Sequence, residues 1–436
     1  MSMRIALISE YTSPLDIMDS CDCGGQNVYV GQLALRLGEM GHTVDIFTRR
    51  DDMTLPEIVV WGHGIRIIHV PAGPARPVRK EDLLPYMDEF GRYVQFWIRQ
   101  GRGSYDVVHA NCFMSGLVAR QLREKWSIPF VVTFHALGAV RSLYQGACDG
   151  FPKERNLIES EIVADADAIL AKCPQDANDL SVLYGASPRK LRLVPDGFDP
   201  KQLFPMDKIA ARRILDIAES EFMMLHVGRI VPRKGVATVI EALARLRDQY
   251  NVVARLLSVG GESENDDISQ TPEMGRLKAL ADVHGVSDKV TFVGRRRLNQ
   301  LRLYYSAADL FITTPWHEPF DITPVEAMAC GTPVLGAAVG GIKYTVQHMV
   351  TGYLVPPRNT AAVAFYMNHA IRNTEERRFL GEQALVRART MFTWTRVAAL
   401  VESVYRDVID HVVGDRIAVP AVCVGNATDT PMSFLS

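Results

Sequence analysis

The chain has 436 residues, of which 47% are hydrophobic and 22% are charged, and its formal net charge is -2. This composition is typical of a globular protein, and the near balance of charges argues against nucleic acid or an anionic membrane surface as a partner. A single hydrophobic core rarely extends over so long a chain, so we expect two domains of roughly 200 residues each.

Targeting and metal-binding signals are weak. The opening MSMRIALISE turns polar too soon for a signal peptide, and no apolar run reaches the roughly 20 residues that cross a bilayer. We therefore expect a cytoplasmic protein. Seven cysteines are scattered, and the pair Cys21 and Cys23 has no second Cys or His pair at zinc-site spacing, so we expect reduced thiols and no metal.

Short β-branched runs alternate with helical patterns along the chain, which is typical of parallel sheets built from crossover units. In the first half, RIALIS, TVDIFT, DVVHA and FVVTFH predict buried strands. In the second half, MMLHVGR, ARLLSVGG, KVTFVGR, LFITT and TPVLGA do the same. The sequence therefore predicts an α/β protein made of two doubly wound domains.

A proline-rich segment separates the two sets of strands. In LRLVPDGFDPKQLFP a predicted strand runs into three prolines and a glycine. We place the hinge near residues 195–205, with an acceptor-side domain over 1–200 and a second domain over 201–391.

The C-terminal part is predicted to contain one helix and a tail. Residues 392–412 carry apolar side chains near helical spacing, with Thr393 or Thr395 as the cap, and predict a closing helix that returns to the first domain. Residues 413–436 lack a clear helical period and are interpreted as a loosely attached tail.

Doubly wound sheets bind ligands at the carboxyl ends of their strands, so we expect a site in the cleft between the domains. The segment DSCDCGGQNVYVGQLALRLGEMG follows the first predicted strand and places Gly24 and Gly25 before a helix. Adjacent glycines let backbone amides approach an anion. A tight turn that packs the helix onto its strand explains them equally well.

A second segment, HVGRIVPRKGVATVIEAL, places Arg229 and Lys234 on either side of a strand-to-helix turn. Two cations there could neutralise a diphosphate, the arginine by forked hydrogen bonds and the lysine as a point charge. On this segment alone, a solvated loop formed by Arg229, Arg233 and Lys234 is equally favoured.

The third segment, HEPFDITPVE, contains two glutamates. Glu318 precedes any helix, whereas TPVEAMAC predicts a helix start with Thr323 as the cap and Pro324 in the first turn. Spacing alone favours Glu326 as a first-turn acid and Glu318 as a surface residue. The free amides at this helix start nevertheless face the cleft.

The glycine loop, GRIVPRKG and HEPFDITPVEAMACGTPV, in that order, strongly resemble the retaining glycosyltransferases of family 4. The resemblance extends to VVHANCFMSG, VVTFHALGAV and VPDGFDP and excludes only the tail. Among subgroups it is similar to the mycothiol-pathway transferases that use inositol phosphate and to the sucrose-phosphate and mannosylfructose-phosphate synthases. It implies the GT-B fold, with two Rossmann-like domains facing each other across a cleft.

The resemblance implies how a donor sugar is held. Glu326 would bind the ribose hydroxyls of a nucleotide sugar, while Glu318 would hold the hydroxyls of the transferred sugar. The residues that follow Glu318 would assist through their amides: Phe320, Asp321 and Ile322.

The donor diphosphate has its own set of implied contacts. Arg229 and Lys234 would grip the diphosphate and stabilise the charge that develops on it, and Gly24 and Gly25 would cover the same phosphates. His135, at the end of VVTFH, would lie beside the transferred sugar. Its alternative role, that of a buried structural histidine, is less favoured in this context.

The implied catalytic residues are therefore His135, Arg229, Lys234 and Glu318. Retention would follow from front-face substitution, in which the leaving phosphate oxygen takes the acceptor's proton, so the two glutamates are not an acid and base pair of the glycosidase type. No metal or other cofactor is expected. The base would be recognised near Gly294 and Arg295, which leaves UDP, GDP and ADP sugars open.

The sequence departs from the family at Asp321, where glycine usually follows EPF. A carboxylate near the donor adds repulsion unless it points away or accepts a sugar hydroxyl. The identity of the donor is therefore open. A tolerated change that leaves a weakly active enzyme is the alternative.

The implied acceptor site is only half retained. Four residues match positions that hold the acceptor in the inositol-phosphate enzymes: Asn27, Lys80, Asn111 and Arg155. The tyrosine and threonine phosphate contacts of those enzymes fall on Cys112 and Ala136. A small phosphorylated acceptor and ordinary surface roles for Lys80 and Arg155 are about equally favoured.

We therefore expect a retaining hexosyltransferase that moves a sugar from a nucleotide-diphosphate sugar to a small hydroxyl acceptor. Two rivals stay open: a GT-B phosphorylase or sugar-nucleotide epimerase, and a catalytically silent nucleotide-sugar sensor, which Asp321 would suit. The sequence leaves open whether the protein is a monomer or a homodimer.

Overall fold

The computed structural model describes residues 2–11, 13–15, 25–145, 150–264, 267, 269 and 271–418. Gly24, Cys21 and Cys23 lie outside these residues, and so does the last part of the predicted tail, residues 419–436.

The first half of the chain forms one sheet and its flanking helices. In chain order its elements are β1 Arg4–Ile8, α1 Gly25–Glu39, β2 Thr43–Arg49, β3 Ile58–Gly62, β4 Ile65–Val70, α2 Met87–Arg99, β5 Val107–Asn111, α3 Phe113–Trp126, β6 Phe130–Thr133, α4 Gly138–Gln145, α5 Arg155–Asp165, β7 Ala168–Ala171, α6 Pro174–Tyr184 and β8 Leu191–Leu193. The strands lie in the order β3-β4-β2-β1-β5-β6-β7-β8. Every neighbouring pair is parallel except β3 and β4, which form an antiparallel edge.

The second half repeats this architecture. Its elements are α7 Lys208–Ile214, β9 Met223–Val227, α8 Val236–Tyr250, β10 Arg255–Val259, α9 Pro272–Val283, β11 Val290–Gly294, α10 Leu298–Ala307, β12 Leu310–Thr313, α11 Ile322–Ala329, β13 Val334–Ala337, α12 Ile342–Thr345, β14 Gly352–Val355, α13 Thr360–Arg372, α14 Thr374–Met391 and α15 Trp394–Ala418. The strand order is β11-β10-β9-β12-β13-β14, and all pairs are parallel.

Each sheet is covered by apolar side chains on both faces, as crossover connections require. The nearly continuous apolar strands β1, β2 and β5 are buried along almost their whole length. The predicted pair of doubly wound α/β domains is therefore confirmed. The domain boundaries stay a prediction.

Helix α15 packs in the core of the first half, although it follows the second half in sequence. Trp394, Val397 and Val401 share a core cluster with Ile5 and Leu33. The helix begins at Trp394 and ends at Ala418, past the predicted end at residue 412, so the start of the predicted tail is helical.

The two segments that cross between the halves lie side by side. The amide of Phe198 donates to the carbonyl of Phe392 at 2.8 Å, and the amide of Trp394 donates to the carbonyl of Phe198 at 3.1 Å. Thr393 Oγ1 accepts from the amide of Arg396, so Thr393 is the residue that caps α15. Among the residues described above, no helix is both long and apolar enough to cross a bilayer.

Candidate active site

A cleft of about 660 Å³ lies between the carboxyl ends of the two sheets. Gly25 and Val28, at the start of α1, line one wall, and Arg229 and Glu326 line the other. The crossing segment contributes Gly197 at the base. This volume is typical of pockets that bind small molecules.

Two strands approach each other closely behind the cleft. Gly260, directly after β10, has a φ of +143°, and a Cβ added there would lie 1.9 Å from the carbonyl oxygen of Gly228. Only glycine fits at this position, because a side chain would separate the ends of β9 and β10. The close packing sets the wall from which Arg229 projects.

Arg229 is exposed to the cleft, and its guanidinium has no hydrogen-bond or ion-pair partner among the residues that the structure describes. Desolvation by the cleft walls lowers the pKa of Arg229, and the positive charge of Arg233 lowers it further. An unpaired, partly desolvated guanidinium is a strong site for an anion with two or more oxygens.

Lys234 ends a short 3-10 helix and is buried between two carboxylates. Its Nζ lies 2.9 Å from Glu318 Oε2 and 3.1 Å from Asp321 Oδ2. Burial acts to lower the pKa of Lys234, but Asp321 and Glu318 outweigh it, so the pKa is raised. Arg233 also donates to Glu318 Oε2, at 2.8 Å. Glu318 therefore joins two cations and is not a surface residue.

Asp321 caps helix α11 and holds Lys234 at the same time. Its Oδ1 accepts from the amide and the hydroxyl of Thr323, while its Oδ2 accepts from Lys234 and from Thr313 Oγ1. The prediction that Thr323 caps this helix is wrong: the cap is Asp321, two residues earlier, and the helix begins at Ile322. Burial acts to raise the pKa of Asp321, but Lys234 and Thr323 hold it below its usual value.

Glu326 lies inside α11 and faces the cleft. Its Oε2 accepts a hydrogen bond of 2.6 Å from the hydroxyl of Tyr305, which is fully buried on α10. Burial raises the pKa of Glu326 to about 7. Its carboxyl group can therefore gain or lose a proton near neutral pH and is well suited to hydroxyl groups, which both donate and accept.

Of the other predicted donor residues, Ile322 lines the cleft at the first residue of α11, and Phe320 is half-buried just before it. Gly25 opens α1 at the opposite wall. Arg295 follows β11 and also lines the cleft. Gly24 is outside the described residues, so its predicted role stays a prediction.

His135 lies just beyond β6, on the first sheet's side of the site. Its φ of +58° places it in the left-handed region, which non-glycine residues seldom adopt. Its Nε2 lies 3.1 Å from Asn111 Oδ1, so two predicted site residues touch. Burial, together with the charge of Lys172, keeps the pKa of His135 well below its usual value, so the ring is neutral at pH 7.

The predicted acceptor residues lie at the carboxyl edge of the first sheet. Lys80 donates to Gln26 Oε1 at 3.1 Å, and Gln26 also donates to the carbonyl of Asn111 at 3.2 Å. Asn27 is buried beside Gln26 in the first turn of α1. Gln26 thus links Lys80 to Asn111, and Asn27 follows it in sequence.

Arg155 is not a surface charge. It is buried at the start of α5, where Nε donates to Glu159 Oε1 at 2.7 Å and Nη2 donates to the carbonyl of Ala136 at 2.5 Å. Its guanidinium also lies over the rings of Phe113 and Phe151. Its charge is therefore already compensated within the fold.

Three side chains that contact predicted site residues are not predicted from the sequence: Arg233, Tyr305 and Glu159. Arg233 is interpreted there only as a loop charge. Glu159 had a signal, since it lies four residues after Arg155, the spacing at which opposite charges meet on a helix. Tyr305 had none, because it lies outside every motif.

No group of three or more His, Cys, Asp or Glu side chains suited to a metal ion occurs in the described part of the chain. Cys112, Cys173 and Cys330 are buried free thiols. The pair Cys21 and Cys23 is outside the described residues.

Two family matches divide the chain at the crossing segment. Residues 24–197 match the glycosyl transferase 4-like domain, and residues 207–387 match the glycosyl transferases of group 1. Each match supplies one wall of the cleft.

Sequence relatives cover nearly the whole chain. The D-inositol 3-phosphate glycosyltransferase of Geodermatophilus obscurus is 36% identical over 413 residues, which cover 92% of this chain and 89% of that protein. The enzyme of the same name from Actinosynnema mirum is 36% identical over 407 residues, which cover 92% of this chain and 96% of that protein.

Solved structures show the same architecture. The sucrose-phosphate synthase from Thermosynechococcus elongatus has a TM-score of 0.81 and 32% identity, covering 94% of this chain and 100% of that chain. Anabaena HepE, solved in complex with UDP-glucose, has a TM-score of 0.68 and 20% identity. The match covers 93% of this chain and 100% of that chain. The likeness thus includes the arrangement of both sheets around the cleft.

Proposed function

The chain belongs to the glycosyl transferases of group 1, and we propose on that premise that it is a retaining enzyme with a nucleotide-diphosphate sugar as donor. The acceptor is a hydroxyl group of a small molecule. The observation that carries this proposal is the presence of Arg229, a guanidinium with no partner among the described residues, and the carboxyl of Glu326 on the same wall of one cleft. A diphosphate and a ribose require these two kinds of group.

The electrostatics support a diphosphate close to Arg229. Lys234 is held 2.9 Å from Glu318 and 3.1 Å from Asp321, so its charge is already shared with two carboxylates. Arg229 is then the strongest site for the donor's negative charge, and Lys234 contributes as the leaving diphosphate gains charge. HepE, which has the same fold, was solved with UDP-glucose, and this supports the donor class.

The proposed reaction breaks the bond between the sugar's anomeric carbon and the diphosphate oxygen. The acceptor oxygen then attacks from the same face, and its proton passes to the leaving oxygen. We assign to Glu318 the holding of the sugar and the positioning of Arg233 and Lys234, and no nucleophilic role; its two ion pairs support this assignment. His135, kept neutral, presents an uncharged ring beside the sugar and so does not oppose the positive charge that develops there.

This proposal assigns charge neutralisation to side chains, and it needs no metal ion. Turnover should then be unchanged after dialysis against EDTA. A loss of turnover that Mg²⁺ or Mn²⁺ restores would show that a metal takes part.

The test is a thermal-shift screen with UDP, GDP and ADP sugars, followed by acceptor-dependent release of the nucleoside diphosphate. A ligand that binds only the folded state raises the melting temperature. We expect one nucleotide class to do so and to be consumed when acceptor is added. Interconversion of the donor without acceptor would identify an epimerase. Binding without turnover across a broad acceptor panel would identify a sensor.

A further inference from the structure

Glu10 lies just beyond β1, at the carboxyl edge of the first sheet, and is fully buried. Ser115, on α3, hydrogen-bonds with Glu10 Oε2, and its Oγ is also 2.9 Å from the carbonyl oxygen of Ile8. Ser115 has one hydroxyl hydrogen for these two oxygens, and an ionised Glu10, the form that the nearby charge of Lys80 favours, presents Oε1 as a hydrogen-bond acceptor. Oε1 has no hydrogen-bond partner in the described part of the chain.

Two further buried acceptor atoms belong to residues at the carboxyl edge of the first sheet. Asn111 Nδ2 donates to Ile8, so its Oδ1 must accept from His135 Nε2. This fixes the hydrogen on Nε2 and leaves His135 Nδ1 as an acceptor. Asn27 Oδ1 is the third buried acceptor atom, after Glu10 Oε1 and His135 Nδ1. Neither His135 Nδ1 nor Asn27 Oδ1 has a hydrogen-bond partner among the residues described.

A hydrogen-bond network links part of this edge of the sheet. Gln26, next to Asn27, lies within hydrogen-bond distance of Ser9, of the carbonyl of Asn111 and of Lys80. Burial raises the pKa of Glu10, and the nearby charge of Lys80 opposes this rise. The same lysine lowers the pKa of His135. Lys80 is therefore close to both acceptor-bearing side chains.

The cations of this region are offset by carboxylates, and Lys172, whose charge also reaches His135, pairs with Asp196 at 2.9 Å. Arg155 is ion-paired with Glu159, which is fully buried and also accepts from the amide of Gly138. Lys80 has Glu10 nearby. Cys112, which takes the place of a phosphate-binding tyrosine by resemblance, is buried and offers no hydroxyl.

We propose that the acceptor is an uncharged polyhydroxyl compound rather than a sugar phosphate or polyol phosphate, and that Glu10 helps determine this preference. The proposal rests on the proposed function, whose acceptor class it narrows. It also separates this chain from relatives that are named for D-inositol 3-phosphate.

The reason is the match between donors and acceptors. A phosphate group has only acceptor oxygens, so where it takes the place of a hydroxyl beside Glu10 Oε1, Asn27 Oδ1 or His135 Nδ1 it leaves that atom unsatisfied, and it would repel an ionised Glu10. Each hydroxyl of a polyol donates one hydrogen bond and can satisfy one of these atoms. A site built to accept from hydroxyls discriminates against a ligand that lacks them in those places.

The experiment compares matched acceptor pairs at saturating donor. myo-Inositol and its 3-phosphate form one pair, and glucose and its 6-phosphate form another, with kcat/KM measured from acceptor-dependent release of nucleoside diphosphate. We expect the unphosphorylated member to be used at least tenfold better. A higher kcat/KM for the phosphorylated member would overturn the proposal.

Glu10→Gln is the informative variant, because glutamine keeps an acceptor oxygen and the contact with Ser115 but cannot carry charge. We expect the kcat/KM ratio of phosphorylated to unphosphorylated acceptor to rise at least fivefold, with donor affinity unchanged. Glu124→Gln is the control, because it neutralises an exposed carboxylate on the helix that carries Ser115. It should leave the ratio unchanged. An equal ratio in Glu10→Gln and Glu124→Gln would remove Glu10 from the proposal. A wild-type protein that binds no nucleotide sugar would instead refute the proposed function itself.

Discussion

Lys234 Nζ donates a hydrogen bond of 3.1 Å to Asp321 Oδ2, although the two residues are far apart in sequence. By resemblance Lys234 should grip a donor diphosphate, and Asp321 stands where the family usually has glycine. The carboxylate thus points at the lysine and away from the open cleft. The repulsion expected from Asp321 is replaced by an ion pair that a donor must compete with.

Asp321→Asn should tighten binding of a nucleoside diphosphate, by about tenfold or about 1.4 kcal/mol, because Lys234 would lose one of two carboxylate partners. The asparagine keeps the oxygen that caps α11, whereas Asp321→Ala loses it and should be less stable than Asp321→Asn by about 1 kcal/mol. Calorimetric titration and denaturant unfolding measure the two effects. Weaker binding in Asp321→Asn would mean that Asp321 contacts the donor directly.

Arg229→Ala and Lys234→Ala should each lower kcat by about 10² to 10³, with a smaller effect on donor affinity, because both groups act on charge that develops in the transition state. Steady-state kinetics with separate measurement of the donor Kd tests this. Arg213→Ala, which removes an exposed arginine from α7, serves as the control and should behave as wild type. A changed KM with normal kcat in either site variant would contradict the assigned role.

Donor binding should strengthen as the pH rises through about 7, where Glu326 ionises. The raised pKa means that the carboxyl is protonated below this pH, and the ionised form is the stronger acceptor for ribose hydroxyls. A nucleotide sugar is the right probe, since its diphosphate diester does not titrate in this range.

Two variants isolate the titrating group. Glu326→Gln should bind the donor more weakly and lose this pH dependence, with the fold intact. Tyr305→Phe should move the midpoint upward, because the hydrogen bond from Tyr305 lowers the pKa of Glu326. A midpoint that does not respond to Tyr305→Phe would assign the titration to another group.

Much of the fold follows from pattern alone. All nine quoted strand runs contain observed strands, because buried parallel strands are continuous apolar segments. Strand β7 escaped prediction because AILA is rich in alanine, which has a low strand propensity. The predicted GT-B fold and family are confirmed by the relatives and by the solved structures.

The site was less predictable, for reasons of distance along the chain. The motifs brought Arg229 and Glu326 to one cleft wall, with Lys234 buried beside Glu318 and Asp321, but pairing within the site depends on tertiary contacts. Tyr305 meets Glu326 only because α10 packs beside α11. Asp321, and not Thr323, caps α11, since its Oδ1 accepts from the amide of Thr323 while its Oδ2 reaches Lys234.

Donor binding should draw the two halves together by rotation at the crossing segments near residues 195–205 and 392–394. The halves already touch at one end of the cleft, where Cys173 Sγ lies 3.5 Å from the carbonyl of Pro319 and the rings of Tyr144 and His317 stack at 4.0 Å. A ligand held by Gly25 and Arg229 together gains contacts that only the closed arrangement offers.

Solution X-ray scattering with and without nucleoside diphosphate measures this change. The radius of gyration should fall on binding, and Arg229→Ala should need more ligand for the same fall. An unchanged radius, in a ligand-free protein already shown to be open, would contradict domain closure.

The anomeric configuration of the product decides whether this protein retains or inverts the donor's anomeric configuration on transfer. The donor that binds in the thermal-shift screen is incubated with acceptor, and the anomeric proton of the first product is observed by NMR before any mutarotation. We expect a new glycoside with the same anomeric configuration as the donor. An inverted product, or a donor that binds and is never transferred, would contradict it.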